Sequence, residues 1–453
     1  MNEAGESSRR VPWPWLLFVA VLVVLAAGFG VRSWRAHHQG PPDPDPAAIR
    51  PGFGPRSAAA AIALADTQIA GARESIAEGG TDWLHLEILA DTLVGRYRLT
   101  GNWADLAEAD RTLESAIASI ESPGGPSLSR AALSNTLHRL PQVETALARF
   151  DAQAAKPLPD EAASAFALRG DVAMQRGDYA AARDLYGKAE ASADNAGLAL
   201  RQSMLALRTG DTELARRRVN AVLRGKRLTR QALQTAALQR ATIAYATGDW
   251  ASAGRWVRFA DAIFPGYWLG EAFAAQQAAV EGRPDEAVRR YTALARRTGA
   301  PEVMDALAHL LRLQGRRDAS KAWAARAGAL WAQRLAALPT AAYAHAAEHE
   351  LAVGDPARAL GLARRDASLR PHGATLALLA RAQLLTGDAT GALASIERAE
   401  NGGWRSALLL LQKAEALEAL GRGDDAARAR EDALAINPHA ADPAARFIWF
   451  GHD

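Results

Sequence analysis

A glycine that returns at a nearly fixed interval constrains this chain more than any other feature. Gly177, Gly210, Gly248, Gly282, Gly315, Gly354, Gly387 and Gly421 are separated by 33, 38, 34, 33, 39, 33 and 34 residues. Between them run short segments with apolar residues at helical spacing, and nothing from about Ala58 onward alternates as a strand would. A unit of about 34 residues, holding two helices and a tight turn, cannot bury its apolar face alone and must stack on its neighbours. Gly-Asp pairs mark the turns at 177, 210, 248, 354 and 387. The first belongs to Arg176-Gly177-Asp178, a tripeptide that adhesion receptors read. The other pairs follow Thr, Thr, Val and Thr, so a recurring turn accounts for all of them and adhesion for one.

Composition agrees with helices. Hydrophobic residues make up 49% and charged residues 23% of the 453, as in folded proteins. Ala and Leu dominate the apolar set, while Val and Ile are scarce beyond residue 31, a helix-forming usage. Fifty-three basic against 50 acidic residues leave a net charge of +3, which by itself gives no reason to expect nucleic acid. The absence of cysteine excludes disulfides, thiolate metal sites and cysteine nucleophiles.

The residues around the turns carry a family resemblance. Gly170, Gly177-Asp178-Tyr179, Ala182, Tyr186 and Ala189 form one unit, and Gly248-Asp249-Trp250, Ala253, Ala260 and Pro265 form another. Gly210-Asp211 with Ala215, Gly282 with Ala287 and Tyr291, Gly354-Asp355 with Ala359 and Pro371, Gly387-Asp388 with Ala392 and Ala399, and Gly421 with Ala426, Ala433 and Pro438 keep the frame. This pattern resembles the tetratricopeptide repeat (TPR) family. Glycine relieves the turn, and alanine lets helices approach closely. Ser320 stands where alanine is expected, the stretch around Gly101 is a diverged unit, and residues 137–150 form one whose turn glycine is lost. The expected fold is all-α, a right-handed α-solenoid of about 8–10 helix-turn-helix repeats behind one N-terminal transmembrane helix.

That helix is Val11–Val31, 21 residues without a charge, spanning about 30 Å. Trp13, Trp15 and Trp34 sit near its ends, where indole rings prefer the headgroup level. A retained anchor, a cleaved secretory signal and a twin-arginine signal compete here. Pro12 after Arg9-Arg10 spoils the last, and the length of the apolar run favours the retained anchor. Arginines flank it on both sides, so charge bias hardly sets the topology. A short basic tail before a first apolar segment stays cytoplasmic as a rule, which would export the repeats. Ala- and Arg-rich usage is that of a GC-rich bacterial genome, which would make the membrane the inner one. The expected organisation is a tail at 1–10, the anchor at 11–31, a Pro-rich linker at 32–57, diverged repeats at 58–160, regular repeats at 161–438 and a cap or tail at 439–453.

Candidates for chemistry are few. His345, Glu348 and His349 fit the H-x-x-E-H zinc pattern, but the repeat frame puts them in an ordinary first helix. Catalysis there ranks last among the readings. No phosphate loop, nucleophile elbow or metal cluster stands elsewhere, so no catalytic residue, cofactor or metal is assigned. Residues 215–230 hold seven basic side chains and no acid, namely Arg216, Arg217, Arg218, Arg224, Lys226, Arg227 and Arg230. They could meet an acidic protein, lipid headgroups or nucleic acid, against the plainer reading of a solvated helix, and nucleic acid lacks an accompanying motif. Aromatics concentrate at 248–273 and in Arg446–Asp453, "RFIWFGHD". Inter-repeat core explains most of the first group. For the second, Phe447, Ile448 and Trp449 would cap the last repeat or form a partner-binding tail.

The TPR resemblance implies a concave groove, lined by the first helices of each unit, that binds partner proteins or peptides. Carried onto this sequence, groove positions are Asp171, Tyr245, Phe273, His309, Glu348, Arg381 and Glu415. The Lys/Asn/Arg clamp of some co-chaperones is absent from them. The function expected is a membrane-tethered adaptor, with a fixed structural subunit of an envelope or transport assembly as the alternative.

Overall fold

The computed structural model describes residues 43–451, apart from 80–81, 121–122 and 226–227. The apolar segment at 11–31 lies outside the described residues, as do Lys226 and Arg227. Among the described residues there are twenty-one α-helices, two 3-10 turns and one isolated bridge, Phe53 to Thr229. None of these helices is long and apolar enough to cross a membrane.

Helix α1 (Ala58–Ala77) comes first, and ten helix hairpins follow. They are α2 (Trp83–Thr100) with α3 (Trp103–Ala118), α4 (Ser127–Thr136) with α5 (Leu140–Asp151), and α6 (Pro159–Gln175) with α7 (Tyr179–Ser192). Next come α8 (Ala196–Arg208) with α9 (Thr212–Arg224), α10 (Arg230–Ala246) with α11 (Trp250–Ile263), and α12 (Trp268–Val280) with α13 (Pro284–Thr298). The series closes with α14 (Pro301–Leu313) and α15 (Arg317–Ala337), α16 (Pro339–Val353) and α17 (Pro356–Leu369), α18 (Gly373–Leu385) and α19 (Ala389–Asn401), and α20 (Ala407–Ala419) with α21 (Gly423–Ile436). The 39-residue interval of the sequence is absorbed by α15, which runs for 21 residues.

Each member of the Gly-Asp pair has its own task at the turn. At Gly177, Gly210, Gly248 and Gly387 φ lies between +79° and +86°, a conformation that costs a residue with a Cβ about 1–2 kcal/mol. It lets the next N–H reach back to the ending helix, as in Asp178 N to Ala173 O at 2.9 Å and Asp249 N to Ala244 O at 2.9 Å. The aspartate then caps the following helix: Asp178, Asp211, Asp249 and Asp388 accept from Ala181, Leu214, Ser252 and Gly391 N–H groups. Arg176, the first letter of the adhesion-like tripeptide, is ion-paired with Glu144 at 2.7 Å.

Two turns solve the same problem differently. Gly354 has φ −113°, because Pro356 restricts Asp355 and the Glu350 carboxylate accepts the Asp355 N–H at 2.8 Å in place of a carbonyl. In the unit that lost its glycine, His138 takes the left-handed position, with φ +57°. The reach-back bond survives there, from Arg139 N to Ser134 O at 2.9 Å.

The coil returns onto itself after six hairpins. Gly373 N donates to Tyr179 Oη at 2.8 Å, across 194 residues. Arg405 N donates to Arg208 O at 2.8 Å, Asn437 Nδ2 to Tyr245 O at 3.2 Å, and Thr340 Oγ1 to Leu137 O at 2.6 Å. In every case the loop leaving one hairpin rests on the turn of the hairpin five earlier, so six hairpins, both ends counted, complete the turn. The apolar cores obey the same geometry, since one continuous cluster joins α6–α8 to α17–α21 through Trp404.

This stacking makes some turn glycines doubly sensitive. A Cβ on Gly248 would stand 2.5 Å from Asn437 Oδ1, whereas Gly282, with φ +78°, has nothing within 4 Å. Gly282→Ala is expected to cost about 1 kcal/mol and Gly248→Ala at least about twice that. Urea denaturation of the two variants compares them, and equal losses would mean that the inter-turn contact at Gly248 contributes nothing.

Candidate functional site

The inner wall of the coil is built from the first helices of the hairpins, and a segment of the chain itself lies against it. After α21 the chain turns inward. His439 packs on the Trp250 indole, with ring centroids 4.9 Å apart. A one-turn 3-10 helix, Pro443–Phe447, follows, and Ile448 is extended. The Arg446 carbonyl accepts a hydrogen bond from His309 Nε2 on α14 at 3.0 Å, and the Trp449 ring lies 5.4 Å from that imidazole.

Gln276 of α12, fully buried, reads the backbone of this tail. Its Oε1 accepts from the Trp449 and Phe450 N–H groups, both at 2.7 Å, and its Nε2 donates to the Phe450 carbonyl at 3.2 Å. The Phe450 ring enters a pocket between Phe273 and Tyr291, at centroid distances of 6.1 and 6.3 Å. Gly451 then passes where a Cβ would stand 2.5 Å from Thr242 Oγ1. Phe447, Ile448 and Trp449 thus pack against the core of α8–α15. The last hairpin is covered instead by Ile436 and Ala440.

Two cavities border the docked tail. One of about 680 Å³ is lined by Leu207, Tyr245, Arg381, Leu408, Glu415 and Ile448. The other, of about 360 Å³, is lined by Tyr97, Tyr267, Trp331, His345, Glu348 and Trp449. Six of the seven groove positions therefore border the tail or its cavities. Tyr245 and Phe273 are buried beneath it, His309 bonds to it, Glu348 faces the smaller cavity, and Arg381 and Glu415 pair at 2.6 Å beside the larger one. Asp171 is used differently. It accepts from Tyr186 Oη at 2.8 Å, Arg201 Nε at 2.9 Å and Asn135 Nδ2 at 3.2 Å, and burial raises its pKa despite the arginine. Tyr291 had a sequence signal only as a residue of the repeat frame, and Gln276, which holds the tail's backbone, had none.

The remaining candidates serve the scaffold. His349 Nδ1 bonds to the buried Asp305 at 2.6 Å, and Trp331 Nε1 donates to the same carboxylate at 2.7 Å. His345 stacks on Trp331 at 5.8 Å and lies 3.3 Å from Glu348, so both histidines of the zinc-like pattern are occupied in packing. Among the described residues no three His, Asp or Glu side chains converge as a metal site would need. Arg216 and Arg217 pair with Glu213, Arg218 pairs with Glu190 of the preceding hairpin, and Arg230 reaches the Ile263 carbonyl. Acids outside the basic run therefore offset part of it.

His309 makes tail docking sensitive to pH. Burial lowers its pKa to about 4, with the Arg312 and Arg446 guanidiniums pushing the same way and the bond to the Arg446 carbonyl opposing. Protonation would add an N–H at Nδ1, which is buried and has no acceptor among the described residues. Free imidazole titrates near 6.5, so between pH 6.5 and about 4 an undocked state binds the proton and the docked state does not. Docking stability is then complete above pH 6.5 and falls by up to about tenfold per pH unit on acidification toward 4. Hydrogen exchange at the Trp449 and Phe450 amides, corrected for intrinsic rates, measures it. His309→Gln should flatten the dependence, and an unchanged profile in that variant would contradict the assignment.

No protein-family profile and no curated protein matches the sequence. Solved structures similar to parts of the chain include Pseudomonas aeruginosa PilF, at 18% identity over 46% of this chain and 94% of that one, with a TM-score of 0.28. Yeast Tom70 aligns at 15% identity over 84% of this chain and 95% of that one, with a TM-score of 0.34. The Cut9–Hcn1 hetero-tetramer of APC/C aligns at 13% identity over 87% and 97%, with a TM-score of 0.31. At these scores none of them bears on what this chain binds, and the helix-hairpin architecture rests on its own geometry.

Proposed function

We propose that the chain is a membrane-tethered scaffold that binds partner proteins or peptides in the interior of its coil, without bond chemistry. One observation carries the reading: the interior already accommodates a segment outside the hairpins, with its backbone held by Gln276 and an aromatic ring in a pocket. Cavities of about 680 and 360 Å³ flank it. Selectivity in such a groove comes from a few buried anchors. The tether is Val11–Val31, with the repeats exported across a bacterial inner membrane.

Photo-crosslinkers placed at Arg381 and Glu348, which line the two cavities, and at the exposed Arg183 on α7 test the binding surface in native membranes. The same partner should be trapped from both interior positions and not from Arg183. Trapping from Arg183 alone would reject the interior. A single partner recovered in fixed stoichiometry would indicate a structural subunit rather than an adaptor. A reporter restricted to the cytoplasm, fused after residue 56, should be inactive, and its activity would overturn the exported topology.

A further inference from the structure

We infer that Arg446–Gly451 is a ligand bound in cis, a segment of the chain that occupies the partner site and must leave before a partner of the same chemistry can enter. The inference rests on the interior being the binding surface and adds what that surface recognises. The occupant it assigns is a non-helical peptide that places a bulky aromatic between Phe273 and Tyr291 and bends there, so that two consecutive backbone N–H groups converge on Gln276.

The contacts are those of a receptor with a peptide. Three hydrogen bonds run from one buried amide side chain to the main chain of Trp449 and Phe450, and any peptide that bends as this segment does at Phe450 supplies the same donors and acceptor. Specificity is left to one ring, Phe450, in one pocket. The segment belongs to no hairpin, and a one-turn helix connects it to the coil. Two cavities border it, so a longer ligand has room beside it. A short tether holds the cis segment at an effective concentration on the order of millimolar, which a weaker trans peptide cannot overcome unaided.

The test uses the full chain and a fluorescein-labelled peptide of residues 443–451 as the probe. A variant with Trp449→Ala and Phe450→Ala should bind the probe at least about tenfold tighter than the wild type, because the competitor has been weakened. Adding Gln276→Ala should cancel most of that gain. Equal binding by wild type and the tail variant, or undiminished binding with Gln276→Ala, would overturn the inference. If the tail variant does not fold, a protease site introduced between Ala441 and Asp442 serves instead. After cleavage the docked tail should exchange for the probe, and failure of a cleaved, folded protein to take it up would equally overturn the inference. The assay involves no partner protein, so its failure leaves the crosslinking result standing, and the reverse holds.

Discussion

Replacing Asp305 by alanine is expected to lower the stability of the coil by about 3–5 kcal/mol. Asp305 is 1% exposed, and each of its oxygens holds a buried donor, His349 Nδ1 at 2.6 Å and Trp331 Nε1 at 2.7 Å. Burial raises the Asp305 pKa while His349 opposes the rise. Truncation leaves both donors in an apolar junction of α14, α15 and α16 with nothing to replace water, and that desolvation is the larger part of the cost. Asp305→Asn keeps the shape and one acceptor, so about 1–2 kcal/mol should be lost. Urea midpoints of the two variants decide the matter. An alanine variant within 1 kcal/mol of the wild type would show that the network is not what joins these helices.

Trp404→Ala should cost a comparable amount, about 3–5 kcal/mol, and should act on the contact between superhelical turns. The indole is 3% exposed, packs 5.9 Å from the Tyr179 ring and lies beneath the Arg208 guanidinium at 5.2 Å. It fills space vacated at Gly373, where a Cβ would stand 2.0 Å from the ring. Gly373→Ala should therefore be strongly destabilising in the wild type and nearly neutral once Trp404 is gone. This non-additivity distinguishes contact from remote effects. Exchange at the Gly373 amide, held by Tyr179 Oη, should accelerate in Trp404→Ala. Additive losses and an unchanged exchange rate would mean that the turns are not coupled here.

The hairpins were readable because their determinants are local. A left-handed glycine, a capping aspartate and an alanine at the helix crossing each act within a few residues, so their period survives in the sequence. The Gly354 and His138 turns are instructive exceptions. At 354 the proline two residues on, together with Glu350, changes the turn geometry, and at 138 a histidine accepts a conformation that glycine usually takes. The residues carried over as groove positions all lie on first helices of hairpins, because the hairpin frame fixes that placement.

What lies on the inner wall was not readable. The aromatic run at 447–450 announces burial but not a location, and Gln276 is one amide in an alanine-rich helix. The sequence by itself determined the helical class, the hairpin period, the turn chemistry and an apolar N-terminal segment long enough to span a bilayer. Only the tertiary structure decided that the coil closes after six hairpins and that residues 446–451 enter its interior. The physical reason is range. Closure is the sum of small rotations at successive interfaces, and the tail finds Gln276 across 173 residues, a contact that no local pattern encodes.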